Sequence, residues 1–298
     1  MKIGIIGGGA IGLLCAYFFT KSYDVTLYVR SEKQLKLLKQ NGIIYRRDKL
    51  TENRKVNVEL FSNWAGKENL TIITVKQYQL EAIYTKINLN SNHINDLLFL
   101  QNGMSHLKVL KTLPVKQILV GIVEHGAVKT NAYSVHHLGV GMIKLSALQP
   151  HKNALLTQLV QGSQPSFMIK EEQGYLHMMK KKLVVNSLVN TLTSILQIRN
   201  GELLENPFFF NIMDAFMTEI AEIMELKKEE KELYFSYVVE VIKKTANNKS
   251  SMLKDIEERR HTEIDSILGY LLDEASQKKK AANLTKTFYF MIKGKETE

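Results

Sequence analysis

The sequence predicts an α/β protein, in which an open, mostly parallel, doubly wound sheet is followed by an all-helical C-terminal domain. Short apolar strands alternate with helical segments over the first half of the 298-residue chain. A glycine-rich turn joins the first strand to the first helix. From about residue 171 onward, apolar residues recur with helical periodicity, and proline and glycine are scarce. We therefore expect a sheet domain over 1–172 and a helical domain over 173–298.

The first thirty residues read as strand, glycine turn, helix and strand. Gly7, Gly9 and Gly12 fit the pattern G-x-G-x-x-G. In this pattern the first glycine permits a tight turn, the second lets the backbone approach a pyrophosphate, and the third lets the helix pack closely on the strand. Free N–H groups of the first helical turn, at Ala10 and Ile11, would face the phosphates. We interpret the segment as the phosphate site of a Rossmann-type domain.

Two other interpretations of this segment are a glycine turn without a ligand and a signal peptide. Lys2 precedes an apolar stretch, as in a signal peptide. Four glycines within 7–12, the lack of a small-residue cleavage site and the immediate return to a strand pattern argue against that alternative.

The end of the second strand indicates which dinucleotide binds. NAD enzymes usually place Asp or Glu there, because a carboxylate accepts a hydrogen bond from the ribose 2′-hydroxyl. This chain has Arg30, whose guanidinium would instead pair with a 2′-phosphate. Asp24 stands at the start of the strand, which is the wrong end. We expect NADP(H); the alternative is that Arg30 is a solvated charge.

The other elements of the first domain follow from composition and periodicity. The run LTIITV at 70–75 is typical of a strand buried on both faces of a parallel sheet. A looser alternation over 136–146 predicts antiparallel strands added to that sheet. We predict further helices over 31–40, 79–87 and 150–161, and further strands over 42–47, 56–61, 96–100, 117–123 and 166–170.

Composition limits the classes of function. Hydrophobic residues make up 45% and charged residues 23%, which is ordinary for a globular protein. No apolar run is long enough to cross a membrane, and the single Cys15 predicts a reduced, cytoplasmic setting. The net charge of +10 would suit a nucleic-acid binder, but basic and acidic residues are mixed, so we expect no nucleic acid. His125, His136 and His137 have no partner at a telling spacing, and we expect neither metal nor acid–base roles for them.

Two polar residues follow predicted strands, at the edge where open α/β sheets bind ligands. Lys76 follows the strand over 70–75, and Asn102 follows the strand over 96–100. We expect Lys76 to reach a cofactor phosphate and Asn102 to hold the nicotinamide end or the substrate. The alternative is that both are polar loop residues without a ligand.

The helix predicted over 182–198 turns Lys182, Asn186 and Asn190 to one side, because they are spaced four residues apart. A lysine ammonium can act as a general acid toward a carbonyl oxygen that receives a hydride on its carbon. The two amides could hold hydroxyl or carboxylate groups beside it. The alternative is a solvated helix face, which two further lysines directly before Lys182 would also suit.

A second long helix is predicted over 250–276. Glu263 falls within its apolar stripe, where a carboxylate is costly unless it is paired. It would bind substrate hydroxyls or a lysine, or else bridge to Arg259 one turn earlier. Ser250 and Ser251 are natural N-cap residues, and a hydroxyl there could also meet a substrate carboxylate.

Six pieces of the chain also match a known family in order. They are GGGAIG at 7–12, Arg30, TVKQ at 74–77, QNG at 101–103, KLVVNSLVN at 182–190 and SSMLKDIEERRHTEID at 250–265. Over nearly its whole length the chain thereby resembles the ketopantoate reductases. The resemblance implies that NADPH reduces the 2-keto group of ketopantoate (2-dehydropantoate) to give pantoate, on the way to pantothenate and coenzyme A.

The resemblance also implies roles for single residues. Lys182 would be the general acid, and Asn186 and Asn190 would bind the hydroxyl region of the substrate. Ser251 would hold the substrate carboxylate. Glu263 would bind a substrate hydroxyl and help to close the site.

On the cofactor side, the resemblance implies that Arg30 and Lys76 contact the phosphates of NADPH. Asn102 would contact both substrate and nicotinamide. Residues 124–149 match the family only loosely, and Tyr78 and the lysines before Lys182 also depart from it.

Other functions stay open at this point. One is a related reductase of another small 2-keto acid. Another is a dinucleotide-sensing or nucleic-acid-binding protein without catalysis. The oligomeric state is open as well, because the apolar helices of the second domain could pair two chains in a homodimer or pack internally.

Overall fold

The computed structural model describes residues 1–149 and 154–297, which divide into two compact units. The first unit comprises Met1–Gln101 and Lys108–Met178. The second comprises Asn102–Leu107 and the chain from Met179 onward. The 102–107 segment interrupts the first unit in sequence but packs with the helical unit.

The strands belong to the first unit and form two sheets. An eight-stranded sheet has the order β12-β11-β8-β7-β6-β1-β2-β5, and a four-stranded sheet has the order β4-β3-β10-β9 within the described residues. The strands are β1 (Lys2–Ile6), β2 (Asp24–Val29), β3 (Ile43–Arg47), β4 (Leu50–Arg54), β5 (Asn57–Leu60), β6 (Leu70–Ile73), β7 (Asp96–Phe99), β8 (Ile118–Val123), β9 (Gly126–Asn131), β10 (Ser134–Gly139), β11 (Met142–Ala147) and β12 (Met168–Glu171).

The large sheet is parallel from β5 to β8, as the buried apolar runs predict. Ile5 on β1 stands between Leu27 on β2 and Ile72 on β6. Strand β11 pairs antiparallel with β8, so the antiparallel addition to the sheet is confirmed for that strand. It is wrong for β10, which pairs with β3 and β9 in the smaller sheet. An open parallel sheet followed by a helical region confirms the predicted fold class.

The helices fall in both parts of the chain. They are α1 (Ala10–Phe19), α2 (Glu32–Asn41), α3 (Glu81–Asn90), α4 (His106–Leu110), α5 (Ala154–Gln161), α6 (Tyr175–Val185), α7 (Thr191–Leu196), α8 (Glu202–Glu205), α9 (Pro207–Met224), α10 (Lys228–Lys244), α11 (Ser251–Glu257), α12 (Tyr270–Lys278) and α13 (Asn283–Lys295). The first four residues of the helix predicted over 150–161 lie outside the described residues. None of the helices described is long and apolar enough to cross a membrane.

Helix α1 lies between the two sheets of the first unit. It packs on β1 and β2 on one side and on β3, β9 and β10 on the other. Its residues from Gly12 to Phe19 are buried, including Tyr17 and Phe18. A helix enclosed on both sides has to be apolar all round, which explains why this segment shows no polar face.

A buried hydrogen-bonded chain joins the two sheets next to α1. Gly141 N–H donates to His125 Nδ1 at 3.1 Å, so this nitrogen is an acceptor. His137 Nε2, 3.1 Å away, therefore carries the proton that it shares with His125. The Tyr45 hydroxyl then donates to His137 Nδ1 at 3.0 Å. His125 and His137 thus have partners in the structure, which the sequence did not indicate.

The single helix predicted over 250–276 is wrong, because the structure divides it. Helix α11 ends at Glu257, and Arg259 adopts a left-handed conformation with φ 53°. The chain becomes helical again next to Thr262, whose hydroxyl accepts from Ile264 N–H at 3.2 Å. The residues at 259 and 263 therefore do not share a helix.

Candidate active site

The glycine turn of the first unit has the geometry that its sequence predicts. Gly7 has φ 117°, which L side chains rarely adopt. A Cβ atom added to Gly12 would lie 1.7 Å from the Gly7 carbonyl oxygen, so only glycine allows this approach of helix and turn. Gly9 caps α1 without a side-chain hydrogen bond to the first helical turn. Because Gly9 has no side chain, it cannot cap the N–H groups at the start of α1, which include those of Ala10 and Ile11.

Two cations of the first unit follow parallel strands of the large sheet. Arg30 comes directly after β2 and is exposed. Lys76 comes three residues after β6 and is half-buried. Since the carboxyl ends of parallel strands lie at one edge of the sheet, the two positive charges stand at the same edge as the glycine turn after β1.

A continuous helix carries three of the predicted site residues, all of which belong to the helical unit. It consists of α6, a π-helical segment over Asn186–Asn190 and α7. Lys182 lies on α6, and the two asparagines stand at the ends of the π-helical segment. A second π-helical segment, Asp265–Gly269, packs against the first. Single π turns are costly and occur frequently at functional sites, which supports a site here.

Asn186 has an unsatisfied amide in the interior of the helical unit. Its side chain is only 4% exposed, and its Nδ2 group has no hydrogen-bond partner among the described residues. A buried donor without a partner costs free energy that a ligand oxygen would offset. Asn190, four residues later, is half-buried and donates through Nδ2 to the Ser251 hydroxyl at 3.4 Å.

Ser250 and Ser251 have different surroundings. The Ser250 hydroxyl accepts from Leu253 N–H at 3.1 Å and caps α11. It also accepts from the Thr193 hydroxyl at 2.9 Å. Ser250 is therefore a buried residue whose oxygen already has two hydrogen-bond partners. Ser251 is exposed, and its hydroxyl remains able to donate while it accepts from Asn190.

Asn102 and Glu263 are 161 residues apart in sequence and meet in the helical unit. Asn102 Nδ2 donates to Glu263 Oε2 at 2.9 Å. The chain is held there by the backbone as well, since Met104 N–H donates to the Ser266 carbonyl at 3.2 Å. The contact with Glu263 uses the NH₂ group of Asn102 and not its carbonyl oxygen, and both residues are half-buried.

The lysines of α6 differ in their contacts. The Lys181 ammonium lies 3.8 Å from the ring centroid of Tyr237 on α10, a cation–π contact that ties the two helices together. Lys182 is half-buried, and its neighbours Leu183 and Val184 are buried.

One buried residue near the site is not indicated by any pattern in the sequence. His106 is 2% exposed, and burial lowers its pKa to about 4, so its ring is neutral at pH 7. It follows Asn102 on the segment that packs with the helical unit. Across residues 1–149 and 154–297, no cluster of three His, Cys, Asp or Glu side chains could hold a metal ion.

The chain matches two family models that together cover most of its length. The model described as Ketopantoate reductase PanE/ApbA matches residues 3–150. The model described as Ketopantoate reductase PanE/ApbA C terminal matches residues 175–296. The division between the two models follows the change from sheet to helices.

Named relatives match over nearly the full chain. A 2-dehydropantoate 2-reductase of Bacillus subtilis is 40% identical over 93% of this chain and 91% of that protein. The enzyme of the same name from Listeria monocytogenes is 33% identical over 100% of this chain and 98% of that protein. The crystal structure of a probable 2-dehydropantoate 2-reductase from Bacillus subtilis superposes with a TM-score of 0.90 at 36% identity, covering 99% of this chain and 100% of that one.

Proposed function

Because the chain belongs to the ketopantoate reductase family, we propose that it reduces the 2-keto group of 2-dehydropantoate to the hydroxyl group of pantoate, with NADPH as reductant. The observation that carries this proposal is the 40% identity to a 2-dehydropantoate 2-reductase over 93% of the chain. The reaction is a step toward pantothenate and coenzyme A.

The first unit supplies the cofactor site in this proposal. The tight turn at Gly7 and Gly12 and the start of α1 suit a pyrophosphate, because backbone N–H groups and the helix dipole favour negative charge there. We assign Gly7, Gly9, Ala10, Ile11 and Gly12 to the pyrophosphate. NADPH, when bound, supplies the hydride that adds to the keto carbon of the substrate.

Two cations and one amide are assigned to the remaining parts of the cofactor. Arg30 would pair with the 2′-phosphate, since a guanidinium forms charge-assisted hydrogen bonds with phosphate oxygens. Lys76 would contact a second phosphate. Asn102 uses its NH₂ group on Glu263, so its carbonyl oxygen is the atom left to accept a hydrogen bond from the nicotinamide carboxamide or a substrate hydroxyl.

The helical unit supplies the groups that act on the substrate. Lys182 would donate a proton to the keto oxygen as negative charge develops on it, so that a C–H and an O–H bond form while the π bond of the C=O group breaks and the C–O single bond remains. Asn186 would donate its buried NH₂ group to the hydroxyl region of the substrate, where Asn190 would also bind.

Charge complementarity supports the roles that the family resemblance implies for Ser251 and Glu263. Ser251 would donate its hydroxyl to the substrate carboxylate, which a neutral donor can approach without repulsion. Glu263 would accept a hydrogen bond from the substrate hydroxyl, while its contact with Asn102 fixes the carboxylate.

The test is a turnover assay on the full chain. NADPH oxidation is followed by the loss of its near-ultraviolet absorbance with 2-dehydropantoate, pyruvate and 2-ketoisovalerate, and each is repeated with NADH. We expect selective turnover of 2-dehydropantoate with NADPH. Faster turnover of another 2-keto acid would contradict the substrate, faster turnover with NADH would contradict the cofactor, and NADPH binding without any turnover would contradict the activity.

A further inference from the structure

The glycine turn contains one glycine that its motif does not require. The pattern G-x-G-x-x-G needs glycine at Gly7, Gly9 and Gly12, but the chain also has Gly8. Gly8 does not have a positive φ that would demand glycine. A Cβ atom added there would lie 2.6 Å from Nε2 and 2.7 Å from Oε1 of Gln34. The absence of a side chain at this position therefore makes room for Gln34.

Gln34 uses both hydrogens of its amide on backbone carbonyls of the first unit. Nε2 donates to the Gly8 carbonyl oxygen at 2.8 Å and to the Ala132 carbonyl oxygen at 2.7 Å. The backbone N–H of Gln34 also donates to the Ser31 hydroxyl, which caps α2 directly after Arg30. One residue thus connects the start of α2, the glycine turn and the β9–β10 turn.

The geometry of the peptide unit links Gln34 to the phosphate donors. In a trans peptide the C=O and the following N–H point in opposite directions, and the described residues contain no cis peptide bond. The Gly8 carbonyl points at Gln34, so the Gly9 N–H points away from it. A Cβ atom on Gly9 would meet nothing within 4 Å, so the space beside this residue is open.

We propose that Gln34 is a positioning residue for the pyrophosphate of NADPH. By holding the Gly8 carbonyl, its amide fixes the plane of the Gly8–Gly9 peptide and directs the Gly9 N–H toward the bound pyrophosphate. Without this hold the peptide can rotate, and the donor loses its fixed direction. The proposal rests on the proposed dinucleotide site of the first unit, but not on the identity of the keto acid.

The test compares two ligands that differ in the pyrophosphate. NADPH contains both pyrophosphate and 2′-phosphate, whereas adenosine 2′-monophosphate lacks the pyrophosphate. We expect Gln34→Leu to raise the Kd of NADPH about tenfold, as for one misdirected hydrogen bond to a charged group, measured by calorimetric titration. The Kd of adenosine 2′-monophosphate should change less than about twofold. Gln40→Ala, at an exposed position of the same helix, is the matched control and should leave both affinities unchanged.

A double-mutant cycle tests the contact itself. Gly8→Ala should weaken NADPH binding in the wild-type chain, because the new methyl group collides with Gln34. In a Gln34→Ala background the space is vacant, and adding Gly8→Ala should cost no further affinity. Strictly additive losses would overturn the proposal.

The outcomes separate this proposal from the proposed function. A wild-type chain that does not bind NADPH contradicts the function. A wild-type chain that binds NADPH while Gln34→Leu binds it equally well overturns only the role of Gln34. Equal losses of affinity for NADPH and adenosine 2′-monophosphate would also overturn it, since they would reflect a general disturbance of the unit.

Discussion

Lys182 is the residue that we propose as proton donor of the reduction, and its substitution tests the chemistry at a single side chain. We expect Lys182→Ala to lower kcat by about 10²–10⁴-fold, the range that general acids typically contribute. The Kd of NADPH should stay near the wild-type value, because the cofactor is assigned to groups of the first unit and Asn102. Steady-state turnover and calorimetric titration of NADPH measure the two quantities.

The matched control for this substitution is Lys180→Ala. Lys180 lies on the same helix, is also half-buried, and points roughly 200° around the helix axis from Lys182. Its variant should retain kcat within about twofold. If both variants lost activity equally, the loss would come from the positive charge of α6 and not from a specific proton donor.

At the scale of secondary-structure elements, the break between α11 and α12 is the main difference from the single long helix that the sequence predicts. Thr262 is 3% exposed, and both its N–H and its hydroxyl donate to Glu296 Oε1 at 2.7 Å. Its hydroxyl also accepts from Ile264 N–H. Burial raises the pKa of the Glu296 carboxyl, but hydrogen bonds from Lys293 and Thr262 outweigh it and lower that pKa below its usual range. Thr262 therefore begins a new helical stretch and ties it to the C-terminal helix.

We expect Thr262→Ala to lower the free energy of unfolding of the chain by about 1–2 kcal/mol, because it removes a helix cap and a buried hydrogen bond together. Urea denaturation followed by circular dichroism measures the change. Thr262→Ser keeps the hydroxyl group and should lose less than half as much. Equal losses in both variants would assign the effect to the methyl group and contradict the capping role.

Some elements can be predicted from the sequence more readily than others, for physical reasons. The first strand, glycine turn and helix could be predicted because their requirements are local. The capping signal at Thr262 is also local, because Thr262 stands three residues before Asp265 and ahead of an apolar run. The apolar periodicity on both sides of Thr262 nevertheless favoured a single helix. The π-helical segments could not be predicted, since residues four apart share a face in either kind of helix. The pairing of Asn102 with Glu263 depends on contacts across 161 residues, which no local pattern encodes.

At the scale of the whole molecule, each unit encloses neutral histidine. Burial lowers the pKa of His106 in the helical unit to about 4. In the first unit, burial and the neighbouring His137 lower the pKa of His125 to about 4. An unfolded chain protonates such groups near their ordinary pKa of 6.5, whereas the folded chain does so only near 4. Their contribution to stability is therefore complete above pH 6.5 and is lost progressively as the pH falls toward 4.

We expect the free energy of unfolding of the wild-type chain to fall between about pH 7 and about pH 5, by up to roughly 1.4 kcal/mol per pH unit for each of these histidines. His106→Leu should remove the contribution of one histidine from this pH dependence of the free energy of unfolding. It should also retain the stability at about pH 7, because the ring nitrogens that it removes have no hydrogen-bond partner in the described part of the chain. Urea denaturation at several pH values measures both quantities.

The control is His93→Leu, at an exposed position, which should leave the pH dependence as in the wild-type chain. If His106→Leu showed the full wild-type dependence, the pKa of His106 would be the same in the folded and the unfolded chain, which would contradict the lowering of that pKa by burial.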